Sequence, residues 1–261
     1  MLSGDTLDAE VLRRELVRPG GLWSGVDVVA RTGSTNADLA ARARTGAPAG
    51  AVLVTDFQDA GRGRQGRSWV APRGSSVAMS VLLRPRDVDP GRWTWLPLLA
   101  GLAVVEGLRR AADVPAVLKW PNDVLVDGQK ICGILAERVE TPAGPACVVG
   151  MGINVWLAAD ELPVPTATSL TLAGSTVDRT VLLRALLEGL HAAYGAWRDG
   201  SPRDRYLALC DTVGREVRVE LPRGVLEGTA VDVDADGALV VASGGRHTAV
   251  TAGDVVHLRP S

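Results

Sequence analysis

Lysine is almost missing from this chain of 261 residues: it has 28 basic residues, and only Lys119 and Lys130 are lysines. GC-rich coding explains an excess of arginine, but not why the two remaining lysines lie eleven positions apart. Arginine replaces lysine freely on a solvated surface, but not where a compact, flexible ammonium is required. The segment 119–130 is therefore marked for chemistry before any motif is considered. Cysteine is scarce too. Cys132, Cys147 and Cys210 are odd in number and widely spaced, which excludes a disulfide framework and a CxxC metal site and fits a reducing, cytoplasmic setting. The longest apolar run, Trp95 to Val105, falls short of the roughly 20 residues of a membrane span. The opening MLSGDTLDAEVLRRELV carries acids in its first ten residues and no apolar h-region, so a secretory signal is not expected. A net charge of −2 gives no overall pull toward nucleic acid or an anionic membrane. His191, His247 and His257 are scattered, with no Ser/Asp constellation to make a hydrolase triad.

What is present is a globular composition. Hydrophobic residues make up 46% of the chain and mean hydropathy is +0.13, enough for a sizeable core and against disorder. The length suits one large domain, or a catalytic domain with a small appendage. Residues 1–22 read as a polar, partly helical lead-in without room for a helix-turn-helix. From residue 26 the pattern alternates. Strands are expected at 26–30, 51–58, 75–84, 116–120, 123–126, 129 onward and 147–156. Helices are expected at 33–46, with Ser34 or Thr35 as N-cap, at 93–112, and at 178–198. After about Val213, five short strand-like runs separated by Gly and Asp turns suggest a small all-β barrel. The expected domains are 1–212 and 213–261.

Three segments stand out chemically. Between two strands, Gly61-Arg62-Gly63-Arg64-Gln65-Gly66-Arg67-Ser68-Trp69 offers backbone N–H groups and guanidinium forks suited to an anion, with Trp69 as a lid over a flat ring. It is neither a P-loop nor a dinucleotide fingerprint. A solvated loop or a nucleic-acid contact is the competing reading, and self-repulsion predicts mobility until an anion binds. The second segment is the hairpin around Asp127-Gly128. A regular ladder puts Leu125 opposite Lys130 and Asp123 opposite Cys132, so Asp123 and Lys130 share a face as diagonal neighbours. This is either a surface ion pair or, given the apolar neighbours, a half-buried charge poised for a developing phosphate anion. The third is Ser34-Thr35-Asn36 at a helix start. One residue is absorbed by capping, leaving hydroxyls and an amide for a carbonyl or ureido group. Asn154, at a strand end, is expected to bring an amide into the same pocket.

GSTN (33–36), GRGRQGRSW (61–69), KWPND (119–123), QKICGIL (129–135), GMGINV (150–155) and ATSL (167–170), followed by a β-rich tail, together resemble the biotin protein ligases from about residue 22 onward. The resemblance implies an α+β fold: a mixed-sheet catalytic domain related to lipoate ligases, with a Src-homology-3-like C-terminal barrel. It implies that biotin and MgATP give biotinyl-5′-AMP and pyrophosphate. The biotinyl group then passes to a lysine of the biotin carboxyl carrier domain of acyl-/acetyl-CoA carboxylase. By this likeness Ser34, Thr35, Asn36, Gln58, Arg62, Gly63, Arg64 and Lys130 contact biotin or its adenylate, while Trp69, Asn122 and Asn154 line the adenine or metal side. Arg62, Arg64, Arg67 and Lys130 are the expected phosphate contacts, Mg²⁺ comes mainly through the ATP phosphates, and Lys130, Arg64 and Asp123 are the expected catalytic residues. The chain departs from the pattern at Gln65, where some members carry arginine, and the DNA-binding domain of the bifunctional members is not expected. No DNA partner, no membrane, and a monomer or weak ligand-dependent homodimer are expected. A lipoate or octanoate ligase on the same fold, an arginine-rich nucleic-acid module and a non-catalytic interaction domain are the alternatives.

Overall fold

Valine-rich segments build the main sheet of the computed structural model, which describes residues 6–221 and 224–258. Its strands are β1 (Gly25–Val29), β2 (Ala51–Thr55), β3 (Ser76–Leu83), β4 (Val117–Lys119), β5 (Asp123–Val126), β6 (Gln129–Val139) and β7 (Ala146–Asn154). Their spatial order is β1-β2-β3-β7-β6-β5-β4; β1 and β2 run parallel and the other neighbours antiparallel. Every residue of β3 is buried, as a central strand covered on both faces requires.

The helices divide those faces unequally. α3 (Trp95–Ala112), apolar nearly all round, and α4 (Arg179–Asp199), started by an Asp178 cap, pack together over one face and enclose the large core with Val77, Met79, Met151 and Ile153. α1 (Ala9–Leu16) adds Leu12 and Leu16 to this side. On the opposite face α2 (Thr35–Arg44) forms a second, smaller core, with Leu39, Ala40 and Ala43 against Leu53, Leu82 and Val148. The Ser34 hydroxyl accepts from Ala37 N and caps α2. The part of the face that α2 leaves uncovered holds the cavity described below.

The hairpin differs from the regular ladder at one position. Leu125 opposes Lys130, but the register then shifts, so that Val124 faces Cys132 and Asp123 faces Gly133, not Cys132. The extra residue is Ile131. Ile131 and Cys132 are both fully buried in the large core, which strict alternation would forbid; a bulge lets two consecutive side chains face inward and re-aims the next one. The bulge therefore gives the open face a glycine where a thiol was expected.

After α5 (Arg203–Leu207), a short helix not foreseen from the sequence, the chain forms β8 (Glu216–Leu221), β9 (Gly224–Val233), β10 (Leu239–Ser243), β11 (Arg246–Val250) and β12 (Asp254–His257). They make a separate antiparallel sheet in the order β11-β10-β9-β8-β12, in keeping with the expected α+β architecture and small C-terminal β domain. The turn before β10 docks on two buried tryptophans: Trp95 Nε1 donates to Ala235 O at 2.7 Å, and Trp120 Nε1 to Gly237 O at 3.0 Å. Thr212 joins the two sheets, accepting from Trp120 N at 3.0 Å and lying 3.0 Å from His257 Nε2. Among the described residues no helix is long and apolar enough to cross a membrane, and the three cysteines are buried and unpaired.

Candidate active site

One row across the sheet makes the floor of the site. The pairing register aligns Ala78, Gly152, Gly133, Asp123 and Lys119 on successive strands β3, β7, β6, β5 and β4. All five line a cavity of about 390 Å³. The first three positions carry almost no side chain, which leaves a trough filled from above by Trp69. A Cβ on Gly152 would lie 2.5 Å from Trp69 Cε2, and one on Gly133 would lie 3.1 Å from both Trp69 Cζ3 and Lys130 Cε. The indole therefore rests on bare backbone, with its Nε1 buried and without a hydrogen-bond partner.

At one end the cavity is lined mainly by uncharged polar side chains, with the Glu137 carboxylate behind them. Ser34, Thr35 and Asn36 are buried at the start of α2. Gln58 Oε1 accepts from Thr35 N at 2.9 Å and pairs with Thr35 Oγ1 at 3.1 Å. The buried Ser80 hydroxyl lies 2.7 Å from Thr35 Oγ1 and donates to Asn36 Oδ1 at 2.6 Å. Asn36 Nδ2 in turn donates to Leu135 O and to Glu137 Oε2, at 3.1 and 2.8 Å. Gly150 permits this arrangement, because a Cβ there would meet Asn36 Oδ1 at 2.1 Å. A cage of fixed donors and acceptors, neutral where it faces the cavity and backed by the Glu137 carboxylate, suits a polar, uncharged head group.

At the other end cations gather. The loop closes on itself through Trp69 N to Gly61 O (2.8 Å) and Gly63 N to Arg67 O (2.7 Å), around a turn in which Gln65 takes φ 55°. Arg62 reaches back to the cage side, donating at 2.9 Å to the Glu137 Oε2 that Asn36 also uses, whereas Arg64 donates to Asn122 Oδ1 at 2.9 Å and to Gly253 O at 3.3 Å. Arg67 pairs with Asp254 and also donates to Gln65 Oε1 at 3.2 Å. The self-repulsion expected of this loop is thus countered by carboxylates from Glu137 and Asp254, and the Gln65 amide accepts from Arg67 where a further arginine would repel it. Lys130 Nζ stands 2.6 Å from Asp123 Oδ1, an ion-pair distance without hydrogen-bond alignment. Burial lowers the Arg64 guanidinium from its ordinary pKa, although the Asp123 charge works against this.

The cavity brings together Ser34, Thr35, Asn36, Gln58, Arg62, Gly63, Arg64, Arg67, Trp69, Asn122, Asp123 and Lys130. Asn154 is not among its lining residues, a correction to the expectation that it carries an amide into this pocket. It is 2% exposed at the end of β7, where its Nδ2 donates to Thr168 O at 2.9 Å to hold the following loop, while its Oδ1 is buried without a partner. Sequence reasoning missed Ser80, Glu137 and Asp254. Ser80 and Glu137 sit in ordinary strand text, and Asp254 reaches the site from the C-terminal sheet, far from the loop in sequence.

A trough with a neutral hydrogen-bonding cage at one end and a cation cluster at the other defines a site for a ligand with a polar head and an acidic tail, meeting a second anion. Residues 28–154 match the biotin/lipoate A/B protein ligase family, and residues 212–258 match the biotin protein ligase C-terminal domain. The chain is 45% identical to the biotin--[acetyl-CoA-carboxylase] ligase of Mycobacterium tuberculosis, over 97% of this chain and 96% of that protein. It is 34% identical to the bifunctional ligase/repressor BirA of Bacillus subtilis, over 82% of this chain and 67% of that protein. The solved biotin protein ligase from Aquifex aeolicus in complex with biotin and ATP matches with a TM-score of 0.78 and 27% identity, covering 91% of this chain and all of that one. The chain belongs to the biotin protein ligase family and, with it, is an enzyme.

Proposed function

We propose that this chain activates biotin with ATP as biotinyl-5′-AMP and transfers the biotinyl group to a lysine of the biotin carboxyl carrier domain of an acyl-/acetyl-CoA carboxylase. The observation that carries this is the placing of the neutral cage and the Lys130–Arg64 cations along one glycine-floored trough. Division of labour at residues 212/213 is part of the same reading, with the C-terminal unit lending Asp254 and the Gly253 carbonyl to the loop.

In the first step a carboxylate oxygen of biotin forms a bond to the α-phosphorus while the bond from that phosphorus to the bridging oxygen breaks, and pyrophosphate leaves. Two anions must meet, so the task of the protein is alignment and charge neutralisation. Ser34, Thr35, Asn36 and Gln58 hold the ureido head, and the backbone at Gly63 admits the tail. Lys130 and Arg64 stand at the reacting carboxylate and α-phosphate, with Arg62 and Arg67 steadying loop and phosphates. Trp69 covers the mixed anhydride against water. Asn122 orients Arg64. Among the described residues no group of three His, Cys, Asp or Glu side chains could hold a metal ion; Mg²⁺ enters as part of the MgATP substrate. In the second step the acceptor amine attacks the acyl carbon, AMP departs with the C–O electron pair, and the amine proton passes to Asp123. Only about one in 2,500 free lysines is neutral at pH 7, so an acceptor for that proton is needed.

The test is biotin-dependent ATP–pyrophosphate exchange by the purified protein, followed by labelling of a biotin carboxyl carrier domain. Exchange that requires biotin and resists competition by lipoate or octanoate is the expected result. Exchange driven by either of those acids in place of biotin would overturn the biotin assignment.

A further inference from the structure

Five basic side chains line the cavity, and four of them have partners: Arg62 with Glu137, Arg64 with Asn122, Arg67 with Asp254, and Lys130 with Asp123. The fifth is Lys119, for which the described residues offer no hydrogen bond and no ion pair. It is half-buried at the end of β4, and its register partner across the ladder is Asp123. That carboxylate is already in contact with Lys130. The other charges acting on Lys119 are those of Lys130 and Arg67, both positive. His257, on the C-terminal side, is pushed down to about 4 by burial, with the Lys119 charge adding to the effect, so it is neutral near pH 7.

A half-buried ammonium sharing one carboxylate with a second ammonium is short of counter-charge: burial pulls its pKa down, and the Asp123 charge, opposed by Lys130 and Arg67, does not make this good. Such a group is costly to keep unless an anion comes to it. The sequence points the same way: in a chain that uses arginine nearly everywhere, lysine persists here and at Lys130. Adjacent strands lie roughly 4.8 Å apart, so Lys119 sits one strand beyond Asp123 along the row that starts beneath Trp69. A polyphosphate whose α-phosphorus is held at Lys130 has its outer phosphates left to place, and a compact ammonium on a flexible stem suits them and their departure.

We infer that Lys119 binds the β- and γ-phosphates of ATP, and the pyrophosphate they become, so that it serves adenylate formation and not acyl transfer. This rests on the adenylate-forming reading above, and the test separates the two. Lys119→Met keeps the length of the stem and removes the charge. Loss of one charge-assisted contact is expected to raise the KM for ATP, and the KM for pyrophosphate in the exchange reaction, by roughly ten- to a hundredfold. Transfer from preformed biotinyl-AMP to the carrier domain should stay within about twofold, and Lys119→Arg should recover part of the lost affinity. Unchanged KM values for both polyphosphates would overturn the inference. Equal loss in both half-reactions, with no recovery by Lys119→Arg, would overturn it too, because Lys119 would then act through the Asp123–Lys130 pair or the fold. If the unsubstituted protein itself shows no biotin-dependent exchange, it is the ligase reading that falls.

Discussion

Replacing Lys130 by alanine tests the centre of the proposed chemistry, because it touches catalysis and stability by separable amounts. The ammonium is 2.6 Å from Asp123, and the two side chains are 33% and 21% exposed. Removing one preorganised donor from a developing phosphoryl charge costs about 3–4 kcal/mol, or a hundred- to a thousandfold in adenylate formation. Stability should change less. The pair lies between an exposed ion pair, worth under about 1 kcal/mol, and a fully buried one, whose breaking costs about 3–5 kcal/mol. Orphaning Asp123 should therefore cost about 1–2 kcal/mol, a fall in Tm of about 2–4 °C for a chain of this size. Lys130→Ala combined with Asp123→Asn removes the orphaned charge, so the double variant should regain the melting temperature but not the adenylation rate. Quenched-flow measurement of biotinyl-AMP, alongside thermal unfolding, reads both. A Lys130→Ala protein that forms adenylate at nearly the normal rate, or a double variant in which activity returns with stability, would refute the reasoning.

Asp123→Asn alone should leave adenylation largely intact and slow single-turnover transfer from preformed biotinyl-AMP; transfer indifferent to the change would remove Asp123 from the second step. Gly152→Ala places a methyl group against the Trp69 ring. Overpacking of this kind costs about 1–3 kcal/mol, and here the loop can yield, so the expected result is a raised KM for ATP with a nearly unchanged Tm; an undisturbed KM would show that Trp69 need not lie in the trough. His257 has a folded pKa of about 4, below its ordinary 6.5. Above about pH 6.5 neither state is protonated. As pH falls toward 4 the unfolded chain takes up a proton that the folded one refuses, so up to about 3 kcal/mol of stability is lost. His257→Leu should flatten that slope in denaturant titrations followed by tryptophan fluorescence; an equally steep slope would assign the loss to other groups.

Much of the framework was legible because local chemistry and global placement agree. Ser34 caps α2, Asp127-Gly128 turns the hairpin with φ 49° and 75°, and the apolar stretch at 95–112 is the buried helix α3. The cage residues at 34–36 were legible for the same reason, since spare polar groups at a helix start advertise themselves, whereas Gln58 was named only through the family resemblance. The Ile131 bulge was not. A two-residue turn fixes only the first pairs of a ladder, and what moved Cys132 inward is the core beneath it, which no local pattern reports. Glu137 and Asp254 escaped for a different reason. Their partners are arginines brought near by the sheet and by the docking of the C-terminal strands, and acidic residues scattered through strand text carry no sign of which cation they will meet. Asn154 misled because its motif was read by position, whereas its amide is committed to the Thr168 carbonyl.

The grip of Asp254 on Arg67, with Arg64 close by, means that the guanidinium end of the trough already holds an anion before any nucleotide arrives. On the proposed function, a phosphate entering there would not fill a vacant positive field; it would evict a carboxylate carried by β12. Binding is then an ion exchange. Its net strength is the difference between two anions at one fork, and it should respond to added salt less steeply than a count of arginines implies. Each turnover, by loosening and restoring that grip, would tug on the seam between the two sheets.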